Sequence, residues 1–327
     1  MDFQKRLTLK RTLGTAVAMA ALPSLAQTFP TKPIRWIVGY PPGSGLDFVA
    51  RVVAEGMSKE LGQPVVVDNK AGAAGAIAAA ALAAAPSDGY SLLSVDMGAY
   101  SLNPHLYTKL AYDPRRDFAM TGMMVTLPMV MFVPVSLGVS TVAEFVAYVK
   151  SKPEKSVNFA SSGMGNPVHL TMEMFQRKAG LNMVHVPYKG SPPAVADLAA
   201  GLVSAMFVDP STAMPFVQSG KLRVIGTNTL ARLPTLPDVP TLKESGYDVF
   251  FPVWLAMAMS ASTPKPLVER INHSLNETMK TPQVSKRLSD AGFIVGERMS
   301  AQQTEQFARS EYQNWGKTLA PMNIKLE

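Results

Sequence analysis

The sequence predicts an α/β protein of two lobes, each a central sheet flanked by helices. Three observations predict it. Short β-branched runs alternate with amphipathic stretches, the alternation restarts past residue 127, and a helical tail brings only one further strand. A chain of 327 residues is also long enough for two ordinary domains at roughly 150 residues each.

The first lobe opens with a strand over residues 34–38, a turn over 41–45, and a helix in which Phe48, Val49, Val52, Val53, Met57 and Leu61 recur at helical spacing. A strand over 65–67, a glycine turn over 72–75, an alanine-rich helix over 76–85 and a strand over 91–95 repeat the pattern, the signature of βαβ units on a parallel sheet. The apolar run 127–135, with Pro128 and Pro134 inside it, reads as one buried strand whose core is 129–133. Thr141 and Glu144 form a capping box for the next helix, and strands follow over 157–160, 184–186, 205–208 and 223–225. Pro210 suits the first turn of a helix behind Asp209, and Gly220 closes it. After a strand over 253–259 come helices over 266–280, 282–291 and 300–319, the last with Ser300 and Gln303 as its capping box. Because this tail holds no third set of strands, it completes the first lobe, which places lobe one at 27–126 and 253–327 and lobe two at 127–252.

Residues 1–26 stand apart from the fold. Lys5, Arg6, Lys10 and Arg11 make a basic start, residues 12–22 an apolar segment too short to span a bilayer, and Ser24-Leu25-Ala26 a small-residue cleavage site. The expectation is a signal peptide cleaved after Ala26 and an exported protein. The net charge of +7 then drops to +4, since four cations and Asp2 leave with it. That charge is thin and unclustered, so no nucleic-acid partner is expected. With no cysteine in the chain, disulfide scaffolds, thiolate nucleophiles and thiolate metal sites are excluded. No cofactor and no metal site are expected.

Two strand-to-helix loops carry the chemistry. In the first, residues 39–47 (Gly-Tyr-Pro-Pro-Gly-Ser-Gly-Leu-Asp), glycines let backbone N–H groups converge on a helix N-terminus where a carboxylate is a natural guest. It lacks the Gly-Lys-Ser/Thr of a phosphate loop and the third glycine of a dinucleotide fingerprint. The second, residues 160–167, leads to a helix bearing His169. One such loop per lobe faces the other across a cleft, where open α/β sheets bind ligands. Ser161 or Ser162 with His169 and Asp209 form the residue set of a hydrolase triad, here a periplasmic serine hydrolase of small esters, but no G-x-S-x-G elbow occurs. His169 and Glu173, four residues apart, are a helix pair with no third metal ligand. Tyr188-Lys189 would put an aromatic ring and a cation at the cleft edge.

At these residues the chain resembles the Bug-type periplasmic solute receptors of tripartite tricarboxylate transporters. The resemblance is carried by Lys32-Pro33-Ile34-Arg35, Gly39-Tyr40-Pro41-Pro42-Gly43 with Asp47, Asn69-Lys70-Ala71-Gly72-Ala73-Ala74-Gly75, and Asn103-Pro104-His105-Leu106-Tyr107. Ser162-Gly163-x-Gly165 with His169-Leu170, His185-Val186-Pro187-Tyr188-Lys189-Gly190 and Leu236-Pro237-Asp238-Val239-Pro240-Thr241 extend it over the mature chain. It implies a two-lobed periplasmic binding protein of the Venus-flytrap, type II-like class, which captures a small organic acid without catalysis and delivers it to a two-component membrane permease. A sensory input to a signalling system would use the same binding chemistry. It implies as ligand contacts Tyr40, Pro41, Ser44, Gly45, Leu46 and Asp47 in the first loop, Ser161, Ser162, Gly163, Gly165, Asn166 and His169 around the second, and Asp209 facing the cleft. Ser44 and Leu46 depart from the family's glycine and hydroxyl residue. Leu46 adds an apolar wall, which with Met164 points to an aromatic, longer aliphatic or dicarboxylic acid. Nothing in the sequence demands more than a monomer.

Overall fold

A computed structural model of the protein describes residues 29–320, 325 and 326; the expected signal peptide, residues 1–26, lies outside them. The first sheet begins with β1 (Ile34–Val38), α1 (Gly45–Leu61), β2 (Val65–Asn69), α2 (Ala76–Ala83) and β3 (Ser91–Asp96). These strands pair in parallel, β1 between β2 and β3, as βαβ units require. After α3 (Asn103–Leu106) and α4 (Pro114–Asp117), β4 (Phe118–Leu127) runs on the other side of the sheet. It is separated from β3 by β10 (Val253–Ser260), which is antiparallel to both. With β11 (Ile294–Val295) at the edge, the sheet has the order β11-β4-β10-β3-β1-β2. The parallel pairing expected of the βαβ units thus holds for β1, β2 and β3, and β10, which enters after the strands of the second sheet, makes the sheet mixed.

Pro128 has no N–H to give to a ladder, so the run expected as one strand is broken there. β4 stops at Leu127, and β5 (Met129–Pro134) begins a second sheet, paired antiparallel with β8 (Met206–Val208) and β9 (Leu222–Asn228). β6 (Asn158–Ser161) and β7 (Val184–Pro187) pair in parallel, and the Ala160 N–H reaches the Ala205 carbonyl at 2.9 Å, joining this pair to the segment leading into β8. The helices between these strands are α5 (Val142–Lys150), α6 (Pro167–Ala179), α7 (Ser191–Ala199) and α8 (Pro210–Gln218).

The chain returns to the first sheet at Val253 and ends in α9 (Lys265–Lys280), α10 (Pro282–Asp290) and α11 (Ala301–Leu319). Every residue of β10 is buried, as a strand with neighbours on both edges and helices on both faces must be. Ser300 caps α11 through the expected reciprocal box with Gln303. Two segments thus cross between the sheets, one a single proline and the other residues 229–252.

Candidate functional site

The side chains of the first loop close on its own backbone. Ser44 caps α1, accepting the Asp47 N–H at 3.3 Å, and Asp47 accepts the Gly43 N–H at 3.0 Å. The Asp47 carboxylate also takes Nε of Arg51 at 3.0 Å and Nδ2 of Asn69 at 2.9 Å. Burial pushes this carboxyl up, but the donors from Arg51, Asn69 and Gly43 together outweigh burial and hold it below its ordinary value.

The second loop is built the same way. Asn166 caps α6 by accepting the His169 N–H at 3.0 Å, and its Nδ2 donates to Ser162 Oγ at 2.6 Å. Ser161 Oγ lies 2.6 Å from Nε2 of His185, and the Gly165 N–H donates to Nδ1 of His169 at 3.1 Å. Pro167 sits in the first turn, where its missing N–H costs nothing.

The loops meet at a cavity of about 30 Å³ lined by Tyr40, Ser44, Gly45 and Leu46 from one side and by Ser162, Asn166, Ser191 and Asp209 from the other. Leu127, Met129, Val168 and Val253 give it an apolar wall, and Asp96 completes it. Four helix N-termini therefore converge here, those of α1, α6, α7 and α8. Outside it opens a cavity of about 290 Å³, bordered by Tyr40, Pro41, residues 71–75, Tyr107, Ser162, Gly163, Met164 and residues 187–190. In the 71–75 turn Ala73 and Ala74 both adopt positive φ, a strain of the kind that concentrates at functional sites. The two walls touch: a Cβ on Gly45 would lie 2.5 Å from the Asp209 carboxylate, and one on Gly190 2.3 Å from Pro41 Cγ.

Both acids of the inner cavity are buried. Asp209 caps α8 and accepts from Thr212 N and the Ser211 and Thr212 hydroxyls, yet burial dominates and raises its carboxyl above the ordinary value. Asp96 accepts the Tyr40 hydroxyl at 2.8 Å and the Ala99 N–H at 2.9 Å, and burial again raises it against those bonds. Burial and the neighbouring Asp96 push the Tyr40 phenol well up, so it stays a donor. Among the described residues no lysine or arginine lines the inner cavity, and Lys189 is the cation bordering the outer one.

Of the residues singled out in the sequence, Tyr40, Pro41, Ser44, Gly45, Leu46, Ser162, Gly163, Asn166 and Asp209 line the two cavities. Asp47, Ser161, Gly165 and His169 do not; they sit behind the loops and brace them. Asp96 and the 71–75 turn are additions. The signal for Asp96 was its place at the C-terminal end of a strand, and for the turn its Gly-Ala-Ala-Gly run. The Ser162–His169 pair of a hydrolase is not assembled, because Ser162 is bonded to Asn166 and His169 to Gly165. His169 Nε2 lies 3.5 Å from Glu173. Among the described residues no three His, Asp or Glu side chains group as metal ligands, and no helix is long and apolar enough to cross a membrane.

Two α/β lobes around a cleft, joined by two crossing segments, define the class of two-lobed periplasmic binding proteins, and solved structures of that class superpose on this chain. The sequence profile of the tripartite tricarboxylate transporter family receptor matches residues 49–324, and the chain belongs to that family. BugT of Bordetella pertussis is 32% identical over 95% of this chain and 96% of its own. A Rhodopseudomonas palustris protein solved with adipate is 28% identical at a TM-score of 0.87, covering 91% of this chain and 99% of its own. MatC of the same organism, solved with malate, is 28% identical at 0.83, covering 89% of this chain and 100% of its own.

Proposed function

We propose that the protein captures a small organic acid between its lobes in the periplasm and presents it to a membrane permease pair, and that it does so as a monomer, without catalysis, after removal of residues 1–26. The observation that carries this reading is the convergence of four helix N-termini on one cavity, with no basic side chain among the described residues that line it. Backbone N–H groups, helix dipoles and the hydroxyls of Ser44, Ser162 and Ser191 offer an anion its donors, each helix end contributing roughly 0.3–1 kcal/mol. The adipate and malate seen in the two similar structures support a dicarboxylic acid. Leu46 and Met129 suit its carbon chain.

Lobe one is assigned to 27–126 and 253–327, and lobe two to 127–252. The acid docks on one loop, and its contacts with the other favour the closed arrangement, which the permease recognises. A hydrolytic reading has one geometric argument, the 2.6 Å Ser161–His185 contact. Against it, Ser161 is wholly buried and already accepts the Gly163 N–H, and the hydrogen bonds of the described residues give His185 no carboxylate partner.

A thermal-melt screen of residues 27–327 against mono-, di- and tricarboxylates tests the reading. A bound acid at 100 times its Kd stabilises by about 2.7 kcal/mol, a shift of several degrees for one acid class. A screen flat for every acid after refolding to strip carried-over ligand rejects it, and turnover of a model ester would restore the hydrolase.

A further inference from the structure

The second loop rests on titratable side chains that the ligand reading does not use. Ser161 is buried at the end of β6, with its Oγ 2.6 Å from Nε2 of His185 on β7. The same oxygen accepts the Gly163 N–H at 3.2 Å and donates its one proton to the Gly163 carbonyl at 3.0 Å, so Nε2 of His185 is the donor to it. On α6, Nδ1 of His169 accepts the Gly165 N–H at 3.1 Å, and Nε2 is 3.5 Å from Glu173 Oε1. The two imidazoles stack with centroids 3.9 Å apart and planes 16° from parallel, and Phe159 continues the stack 4.9 Å from His185. Neither ring borders the two cavities.

An Nδ1 that accepts from Gly165 carries no proton, so the proton of His169 sits on Nε2, toward Glu173. A further proton at Nδ1 turns the acceptor into a donor aimed at another donor, and Gly165 must move. Two rings stacked this closely in a half-buried site cannot both be cations, because like charges there repel strongly. The groups facing the pair are each other, which resists protonation, and Glu173, which favours it and is itself held by Gln176 and Arg177.

We propose that His169 is a positioning residue for the second ligand loop, and that a proton placed on its Nδ1 breaks the bond from Gly165, loosens this loop and weakens capture of the acid. The loosening stands on the hydrogen-bond geometry alone, whereas its effect on capture rests on the carboxylate reading above. The chain would hold its ligand at neutral pH and release it in an acidified compartment or at an acidified membrane surface.

Amide hydrogen exchange of Gly165, corrected for the intrinsic dependence on pH, tests the first part at pH 7.5 and 4.5. Protection of this amide is expected to fall at least tenfold at pH 4.5, while the Trp36 amide of β1 keeps its protection. His169→Asn places an amide oxygen where Nδ1 stood, accepts from Gly165 without titrating, and should abolish the fall. His185→Phe keeps the stack and should leave the fall in place. Unchanged protection of Gly165 in the native chain, or the same fall in His169→Asn, overturns the proposal. Should His169→Asn fail to fold, His185→Phe decides, since a fall abolished there would place the effect on the other ring and overturn the proposal. Calorimetry with adipate and malate at both pH values tests the second part, with at least a tenfold weaker affinity expected at pH 4.5 in the native chain. If neither acid binds at pH 7.5, the carboxylate reading has failed, while the exchange result still stands or falls by itself.

Discussion

Single residues show why some of the site was legible in the sequence and some was not. Ser44, Asn166 and Asp209 are capping residues, and caps announce themselves by type and spacing, so both loops were readable as helix entries. Which way a side chain turns is not readable. Asp47, expected at the ligand, has its carboxylate held by Arg51 one turn later and by Asn69 from the next strand, which braces the loop. His185 looked isolated because its partners come from β6 and α6. Burial first, and His169 next, lower its imidazole to about 4. The unfolded ring titrates near 6.5, so on acidification the unfolded chain takes the proton first. Stability is therefore full above about pH 6.5 and lost progressively down to about 4. With the ring partly exposed, the discounted loss is about 1–2 kcal/mol. Melting curves should show His185→Phe losing several degrees less than the native chain between pH 7 and 4.5; parallel losses would mean that His185 does not titrate in that window.

At the scale of elements, the βαβ units of the first lobe were legible because apolar spacing switches between period two and period 3.6 at glycine turns. β4 was not. Its sequence, Phe-Ala-Met-Thr-Gly-Met-Met-Val-Thr-Leu, has little β-branched content and a central glycine. Tertiary contacts make it a strand: β10 and β11 pair with its two edges, and Gly122 lets α9 approach so closely that a Cβ would stand 2.7 Å from Leu275. Likewise nothing local to 253–260 says that the strand runs against its neighbours. Leu255 lies fully buried between Asp96 on β3 and Val125 on β4. Truncation by Leu255→Ala should cost about 2–5 kcal/mol, measured as a lower urea midpoint at constant m-value. A loss under about 1 kcal/mol would mean that the centre of this sheet repacks freely.

For the whole molecule, two walls far apart along the chain meet where glycine leaves room, at Gly45 against Asp209 and at Gly190 against Pro41. Gly45 opens α1, where alanine is favoured over glycine by about 0.5–1 kcal/mol. Gly45→Ala should thus leave the melting temperature equal or slightly higher, yet hold the lobes apart. Small-angle scattering in the presence of the bound acid should give a larger radius of gyration than for the native chain, with affinity at least tenfold weaker. Native affinity in this variant would show that the close approach plays no part in capture. The interleaving of the two lobes along the chain has a further consequence for biosynthesis. The strand that separates β3 from β4 is made after every strand of the second lobe, so the inner edges of β3 and β4 have no partner while the polypeptide is still growing. The second sheet can close early, whereas the first stays open at its centre until the final quarter of translation, which keeps the nascent chain loosely folded for most of its synthesis.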